Sequence, residues 1–291
     1  SEDYELKYKA QRTKSENINW DNFNIVTKDF KDILSNHVNM VTVEKAEGDD
    51  SIACLAINNL NNNISSIIVS SDNDLKQLIT VKDNNFIIFY SVIERCLYVH
   101  PKFIEFLKPS EEEFDIFNMP DYSNPNDFIE LFKKDFNQIL ESNSISMKTL
   151  DANYHILVKI ICGDTGDNIE KLKKGFGVKK VDTIFENVDF KFNEISDVMI
   201  DSIVNQFLVI AKLDNTETEF KLYKNKLKRN IKLMVLNEEY IPSEIWNNVL
   251  KKHKNSSLIN IKNMESLHVL LKGTKYLKEF GADTATHKGL S

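Results

Sequence analysis

Apolar positions recur at helical spacing through residues 21–37, where Phe23, Val26, Phe30, Ile33 and Leu34 mark one stripe of a helix. Val41–Val43 (VTV) reads as a short strand. EGDDSIACLAINNL (47–60) reads as a helix whose first turn carries acids, where the helix dipole favours them. SSIIVSSDND (65–74) is a buried strand that ends in a polar turn, because Ile67, Ile68 and Val69 are β-branched and polar residues follow directly. FIIFYSVIERCLYVH (86–100) has the pattern of a hairpin or two further strands, and the acidic, turn-rich EEEFDIFNMPDYSNPND (111–127) that of an inserted loop. From Asp127 onward the pattern is mostly helical: DFIELFKKDFNQIL, LDANYHILVKIIC, EISDVMIDSIVNQFLVIAKL and EFKLYKNKLKRNIKLMVL. The amino-terminal SEDYELKYKAQRTKSE has no apolar stripe and reads as an exposed arm or helix.

Strand and helix in alternation imply an α/β fold with a parallel sheet flanked by helices, followed by a helical region. The expected division is 1–147 as a partial α/β domain with an insertion and 148–291 as a helical region. With 291 residues, 42% of them hydrophobic, the chain can bury a substantial core. It has neither a run of about 18 apolar residues nor a basic-then-apolar leader, so a cytoplasmic protein is expected. Cys54, Cys96 and Cys162 are odd in number and set in apolar segments, which fits reduced core residues and not a disulfide frame. The six histidines form no paired metal motif. A net charge of −7 argues against a protein that coats nucleic acid through charge alone, so polyanion binding must be local.

Charge is concentrated in a few places. Glu47, Asp49 and Asp50 open a predicted helix; Asp72 and Asp74 follow the carboxyl end of a predicted strand; Asp164 and Asp167 end an apolar helix and, at i and i+3, would share a face of one turn. In open α/β sheets ligands sit beyond the carboxyl ends of the strands, so the first two groups are expected to face one cleft. Oxygen-only donors suit Mg²⁺ or Mn²⁺. Each group also has an ordinary reading: Asp72 or Asp74 as a helix cap, and EGDD as a dipole-compensated helix end. In KKGFGVKK (173–180), Gly175 and Gly177 let backbone approach a phosphate, and the following helix start with Lys179 and Lys180 makes an anion site; an ordinary turn with solvated lysines is the alternative.

Taken in order, EGDDSIACLA, SSDNDLKQL and GDTGDNI…GFGVKK resemble the 5′-nuclease family of flap endonucleases and 5′ to 3′ exonucleases, whose patterns run EADDxIA, SSDxDxxQL and GDxxDNIxGVxGxGxKxA. Gly48 stands where the family has alanine. RNIKLMVLNEEYIPSEI (229–245) is similar to the segment that follows the helix-turn-helix in the bacteriophage T4 ribonuclease H type. The resemblance spans about Tyr8 to Lys252. It implies a PIN-like (resolvase-like) fold with a helix-turn-helix (H3TH) DNA-binding region. It also implies two Mg²⁺ or Mn²⁺ ions held or supported by Glu47, Asp49, Asp50, Asp72, Asp74, Asp164 and Asp167, with duplex phosphates gripped at Gly175, Gly177, Lys179 and Lys180, often beside a K⁺ ion. KYKAQRTK resembles the family's YKxNR stretch, which would make Lys9 and Arg12 the residues that steer the scissile phosphate; a solvated arm is the alternative.

The implied activity is removal of RNA primers or 5′ flaps from branched or RNA-primed duplex DNA in a phage-infected host. A single-strand DNA-binding protein or sliding clamp would be the candidate recruiter, with ESLHVLLKGTKYLKEFG (265–281) as a partner-binding or packed terminal helix. A catalytically weakened DNA-binding accessory protein and an unrelated Mg²⁺-dependent phosphatase are the other readings. The family normally carries a strand and two more aspartates ahead of YKxNR, so a separate amino-terminal segment or chain is expected to supply them.

Overall fold

The structure is a computed structural model that describes residues 19–35, 38–107, 136, 138, 140–142 and 144–254. The described residues pack as two compact units, one within residues 47–246, the other formed by described residues of 19–46 with 247–254.

In the second unit, helix α1 (Trp20–Ser35) carries the apolar stripe expected of residues 21–37. Val41–Val43 forms no strand, contrary to the sequence reading: among the described residues no neighbouring strand completes a ladder with it, and β-propensity alone does not make one. Thr42 instead offers its carbonyl to the Lys252 ammonium, and the Asn39 amide meets His253 Nδ1 at 3.1 Å.

The first unit begins with α2 (Gly48–Asn61), which buries Ala53, Cys54, Ala56 and Leu60. It leads into β1 (Ser66–Ser70), a two-turn 3₁₀ helix (Asn73–Leu78), β2 (Thr80–Lys82), β3 (Asn85–Ser91) and β4 (Cys96–Val99). Helix α3 (Pro101–Leu107) follows, and β5 (Ser146–Thr149) returns to the sheet. The sheet is mixed: β1 runs parallel to β3, β4 parallel to β5, while β3 is antiparallel to both β2 and β4. The hairpin expected in 86–100 is therefore present, and β5 is a strand that the helical reading of this region missed. Phe86, Ile88, Leu97, Val99, Phe103 and Leu107 form the core between the sheet and α3.

Strand β1 was expected to be buried. Ile67 and Val69 are instead 54% and 61% exposed, because β1 is the sheet's edge strand among the described residues and only Ile68, on its other face, is buried.

A helical layer completes this unit: α4 (Ala152–Cys162), α5 (Val178–Asn187), α6 (Asp197–Ile210) and α7 (Glu217–Met234), followed by α8 (Ser243–Lys254), whose last turns belong to the second unit. Asp151, Ser196 and Thr216 cap α4, α6 and α7 through side-chain oxygens that accept backbone N–H groups. Ile203, Phe207, Tyr223 and Leu227 interlock α6 with α7, with the Phe176 ring tilted against Phe207 at 4.6 Å between centroids. No helix of the described residues is long and apolar enough to cross a membrane. The predicted loop 111–127, Tyr8, Lys9, Arg12 and the segment 265–281 lie outside the described residues.

Candidate functional site

The carboxyl end of β1 turns directly into the 3₁₀ helix, and that turn is built by its own side chains. Ser70 Oγ accepts the Asp72 N–H at 3.0 Å, and Asp72 Oδ1 accepts the Asp74 N–H at 2.9 Å. Asp72 is thus the cap that the ordinary reading anticipated, and capping leaves its second oxygen for other use. Gln77, fully buried, donates to the Asp74 carbonyl at 2.9 Å and to the Met234 carbonyl at 3.0 Å while accepting the Leu236 N–H at 2.9 Å.

Helix α4 brings the third carboxylate. It stops at Gly163, whose φ of +71° is the left-handed region; a Cβ there would meet the Ile169 carbonyl and stand 2.5 Å from the Lys171 nitrogen. Asp164 and Ile169 then bridge reciprocally, N–H to carbonyl, at 2.9 and 2.7 Å. Asp164 and Asp167 therefore sit in a bridged turn, not on one face of a helical turn, because the glycine breaks the helix before Asp164 begins. Asn230, also fully buried, holds this loop by donating to the Ile160 and Glu170 carbonyls at 2.8 and 2.9 Å.

The two segments meet across a cleft of about 600 Å³ lined by Ser71, Asp72, Asn73, Asp74, His155, Lys159 and Asp164. The Lys159 ammonium lies between carboxylates, donating to Asp74 Oδ1 and sitting 3.0 Å from Asp164 Oδ2. Burial alone would lower the Lys159 pKa, but its two acidic partners raise it above the ordinary lysine value. Asp164 is likewise desolvated, yet Lys159 and the N–H groups of Gly166 and Asp167 hold its carboxyl below the usual range. Asp74 goes the other way. Its burial, with Asp72 and Asp164 nearby, outweighs Lys159 and raises it. One helical turn before Lys159, His155 meets the Asn73 carbonyl through Nε2 at 3.2 Å, and burial with the Lys159 charge pushes its pKa down to about 4.

The structure thus gathers Asp72, Asp74 and Asp164, and does not bring Glu47, Asp49, Asp50 or Asp167 to the cleft wall. At the start of α2, the Asp50 carboxylate accepts the Glu47 N–H at 3.1 Å, a local helix-start contact. Sequence reasoning missed Lys159, His155 and Gln77. The available signal was a lysine inside an apolar helix five residues before an aspartate, since a half-buried lysine needs an acidic partner.

Beyond the cleft, the chain enters the turn 173–180. Gly175 has φ +79°, Phe176 is buried as the anchor, and Gly177 precedes the first turn of α5. No atom lies within 4 Å of a Cβ built on Gly175 or Gly177, so the backbone there faces open space. Lys179 and Lys180 are exposed, with the Lys180 ammonium 3.3 Å from the Gly175 carbonyl.

Residues 2–105 match the family described as 5′-3′ exonuclease, N-terminal resolvase-like domain. Among solved structures, the chain is similar to the bacteriophage T5 D15 protein co-crystallised with metal ions, with a TM-score of 0.51 at 18% identity over 88% of this chain and 78% of that one. It is also similar to the T5 D15 flap endonuclease in a pseudo-enzyme-product complex with DNA and metal ions (0.47, 17%, 87% and 76%). A third likeness is to the T5 5′-exonuclease with bound zinc (0.46, 18%, 87% and 76%). The first of these establishes a shared fold. No curated protein matches the chain.

Among the described residues no group of three or more His, Cys, Asp or Glu side chains is closed enough to hold a metal ion. The donor chemistry of the cleft nonetheless fits a hard divalent cation: its acids are carboxylates only, and a tethered ammonium already stands as the cation against two of them.

Proposed function

We propose that the chain is a divalent-metal-dependent 5′ to 3′ exonuclease and flap endonuclease of the bacteriophage T4 ribonuclease H type. It removes RNA primers or 5′ flaps from duplex DNA during phage replication in the bacterial cytoplasm. The observation that carries this reading is the convergence of Asp72, Asp74 and Asp164 on one cleft at the carboxyl end of β1, in a chain whose residues 2–105 match the exonuclease domain.

Asp72, Asp74 and Asp164 would hold Mg²⁺ or Mn²⁺, supported by Glu47, Asp49, Asp50 and Asp167. Bound there, such ions would supply activation of water and stabilisation of the charge on a leaving 3′ oxygen. The chain's own residues do the rest. Gly175 and Gly177 let the backbone approach a duplex phosphate, and Lys179 and Lys180 add positive charge at the N-terminus of α5, with K⁺ as an additional ion there. Lys9 and Arg12 orient the single-stranded end by paired donors to its phosphate. Lys159 keeps Asp74 and Asp164 close to one another despite their like charge. A single-strand DNA-binding protein, a sliding clamp and a separate amino-terminal segment are the partners this reading accommodates.

One observation favours a second reading, an accessory DNA-binding protein weakened in catalysis: the Lys159 ammonium takes up carboxylate oxygens of both Asp74 and Asp164. The same assay separates the two. A 5′-labelled flap and an RNA-primed duplex are incubated with the chain in Mg²⁺ and in EDTA, beside Asp72→Asn/Asp164→Asn. Short 5′ products released only in Mg²⁺, and lost in the double variant, are expected. Binding without metal-dependent products would reject the nuclease reading in favour of the accessory one.

A further inference from the structure

His155 is half-buried in the cleft wall, and its ring makes one hydrogen bond among the described residues, between Nε2 and the Asn73 carbonyl at 3.2 Å. A carbonyl oxygen only accepts, so Nε2 carries the ring proton. The ring is neutral, because burial and the Lys159 charge disfavour the imidazolium. Nδ1 is therefore a bare acceptor, with no hydrogen bond to any described residue.

The ring is also firmly placed. Asp151 caps α4 by accepting the Asn153 and Tyr154 N–H groups at 2.9 and 3.2 Å, and the His155 N–H donates to the Asp151 carbonyl at 2.9 Å. The next two residues, Ile156 and Leu157, are fully buried and fix the face that α4 turns inward. Asn73 stands between Asp72 and Asp74, so the imidazole spans from α4 to the turn that carries two of the cleft's carboxylates. Nε2 alone serves that link. Nothing in the fold uses Nδ1.

A bare acceptor selects for a donor. The phosphates and deoxyribose rings of a DNA backbone offer acceptors only, whereas ribose adds a 2′-hydroxyl that donates as well as accepts. That hydroxyl sits on the carbon next to the 3′ oxygen, beside the phosphodiester itself. A hard divalent cation takes carboxylates before an imidazole, which leaves Nδ1 to the strand. We propose that the 2′-hydroxyl of the ribose preceding the cleaved phosphodiester donates a hydrogen bond to His155 Nδ1, making the cleft selective for RNA over DNA at that nucleotide. This rests on the nuclease reading of the cleft and deepens it: the favoured substrate is an RNA primer, and His155 is the residue that recognises its sugar.

The test uses the full chain and primed duplexes that differ only in the sugar before the cleaved phosphodiester: ribose, deoxyribose or 2′-fluoro, whose fluorine cannot donate. The parent is compared with His155→Phe, which keeps a ring without nitrogens, and His155→Asn, which keeps an acceptor near the Nδ1 position. The readout is the ribose-to-deoxyribose ratio of kcat/KM in Mg²⁺, which cancels any general loss of activity. The parent is expected to favour ribose about fivefold to tenfold and to cut the 2′-fluoro duplex as it cuts the deoxyribose one. The ratio should fall to about one in the phenylalanine variant and survive in part in the asparagine variant. A parent that cuts the 2′-fluoro or deoxyribose duplex as fast as the ribose one overturns the contact without recourse to any variant. A phenylalanine variant that keeps the parent's ratio overturns it equally, and both results leave the nuclease reading standing. A parent that binds and does not cleave overturns the nuclease reading, and the same ratio taken on Kd in EDTA then decides the contact; a parent that does not bind overturns both.

Discussion

The cleft and the glycine-lysine turn lie within one stretch of chain, yet they keep their charges in opposite ways. In the cleft, Lys159 answers Asp74 and Asp164, and backbone N–H groups answer Asp164 again. In the turn, Lys179 and Lys180 stand in water, and Gly175 and Gly177 leave open space in front of the backbone. Burial makes the difference: a charge removed from water must be paired inside the protein, whereas an exposed one is available to an incoming phosphate at no cost to the fold. Changes in the cleft should therefore disturb both chemistry and stability, and changes in the turn only binding.

The sharpest break in that contrast would come from Asp164→Ala, for which cleavage of a labelled flap should fall by a factor on the order of 10³. A rate near the parent's would remove the cleft from the chemistry. Lys159→Met leaves Asp74 and Asp164 facing each other without their cation, and urea denaturation in EDTA should register a loss of about 3 kcal/mol, partly restored by Mg²⁺. No loss would mean that the ammonium does not stabilise the pair.

One glycine from each region gives a matched comparison. Gly163→Ala forces a Cβ against backbone at positive φ and should cost about 2 kcal/mol or more, while Gly177→Ala, with open space and an ordinary φ, should stay within about 0.5 kcal/mol. Similar losses at both would contradict the packing described. Acid should also act on the cleft through His155. Its folded pKa of about 4 lies below the unfolded value near 6.5, so the folded state binds fewer protons across that window. Stability is complete above the upper limit and declines as pH falls toward the lower one, by about 3 kcal/mol. His155→Phe should flatten this limb of the stability curve. The smallest effects belong to the turn: Lys179→Ala and Lys180→Ala should each weaken duplex binding about threefold to tenfold and reduce the salt slope by about one, with no change in melting temperature.

What could be read from the chain without coordinates follows the distance over which each feature is decided. The α2 helix, the acids beyond β1 and the glycine-broken turn are local patterns, and the structure contains them. Asp164 and Asp167 were misassigned to a helical face although Gly163, a glycine directly after a periodic run, is a common helix stop. The strand SIIVS shows the limit of propensity: its residues favour a strand, but whether that strand lies inside or at the edge depends on neighbours far away in sequence. His155 is invisible for the same reason, and Lys159 shows only as a lysine in need of an acid, since which face of α4 meets Asp74 is settled by packing alone. Gln77 and Asn230 satisfy backbone groups tens to more than a hundred residues away, and no window of sequence contains both ends of such a bond.

Gln77 carries a consequence for how the protein is made. It joins the Asp74 carbonyl to Met234 and Leu236, some 157 and 159 residues further along the chain. During synthesis the segment bearing Asp72 and Asp74 leaves the ribosome early, and the backbone that secures it arrives only when α7 is finished. At about 5–20 residues per second, that is a wait on the order of ten seconds. A nascent chain of two hundred residues already holds all three cleft aspartates, but the amide that fixes two of them still lacks its partners. Full rigidity of the cleft is therefore reserved for a polypeptide that has been made past α7.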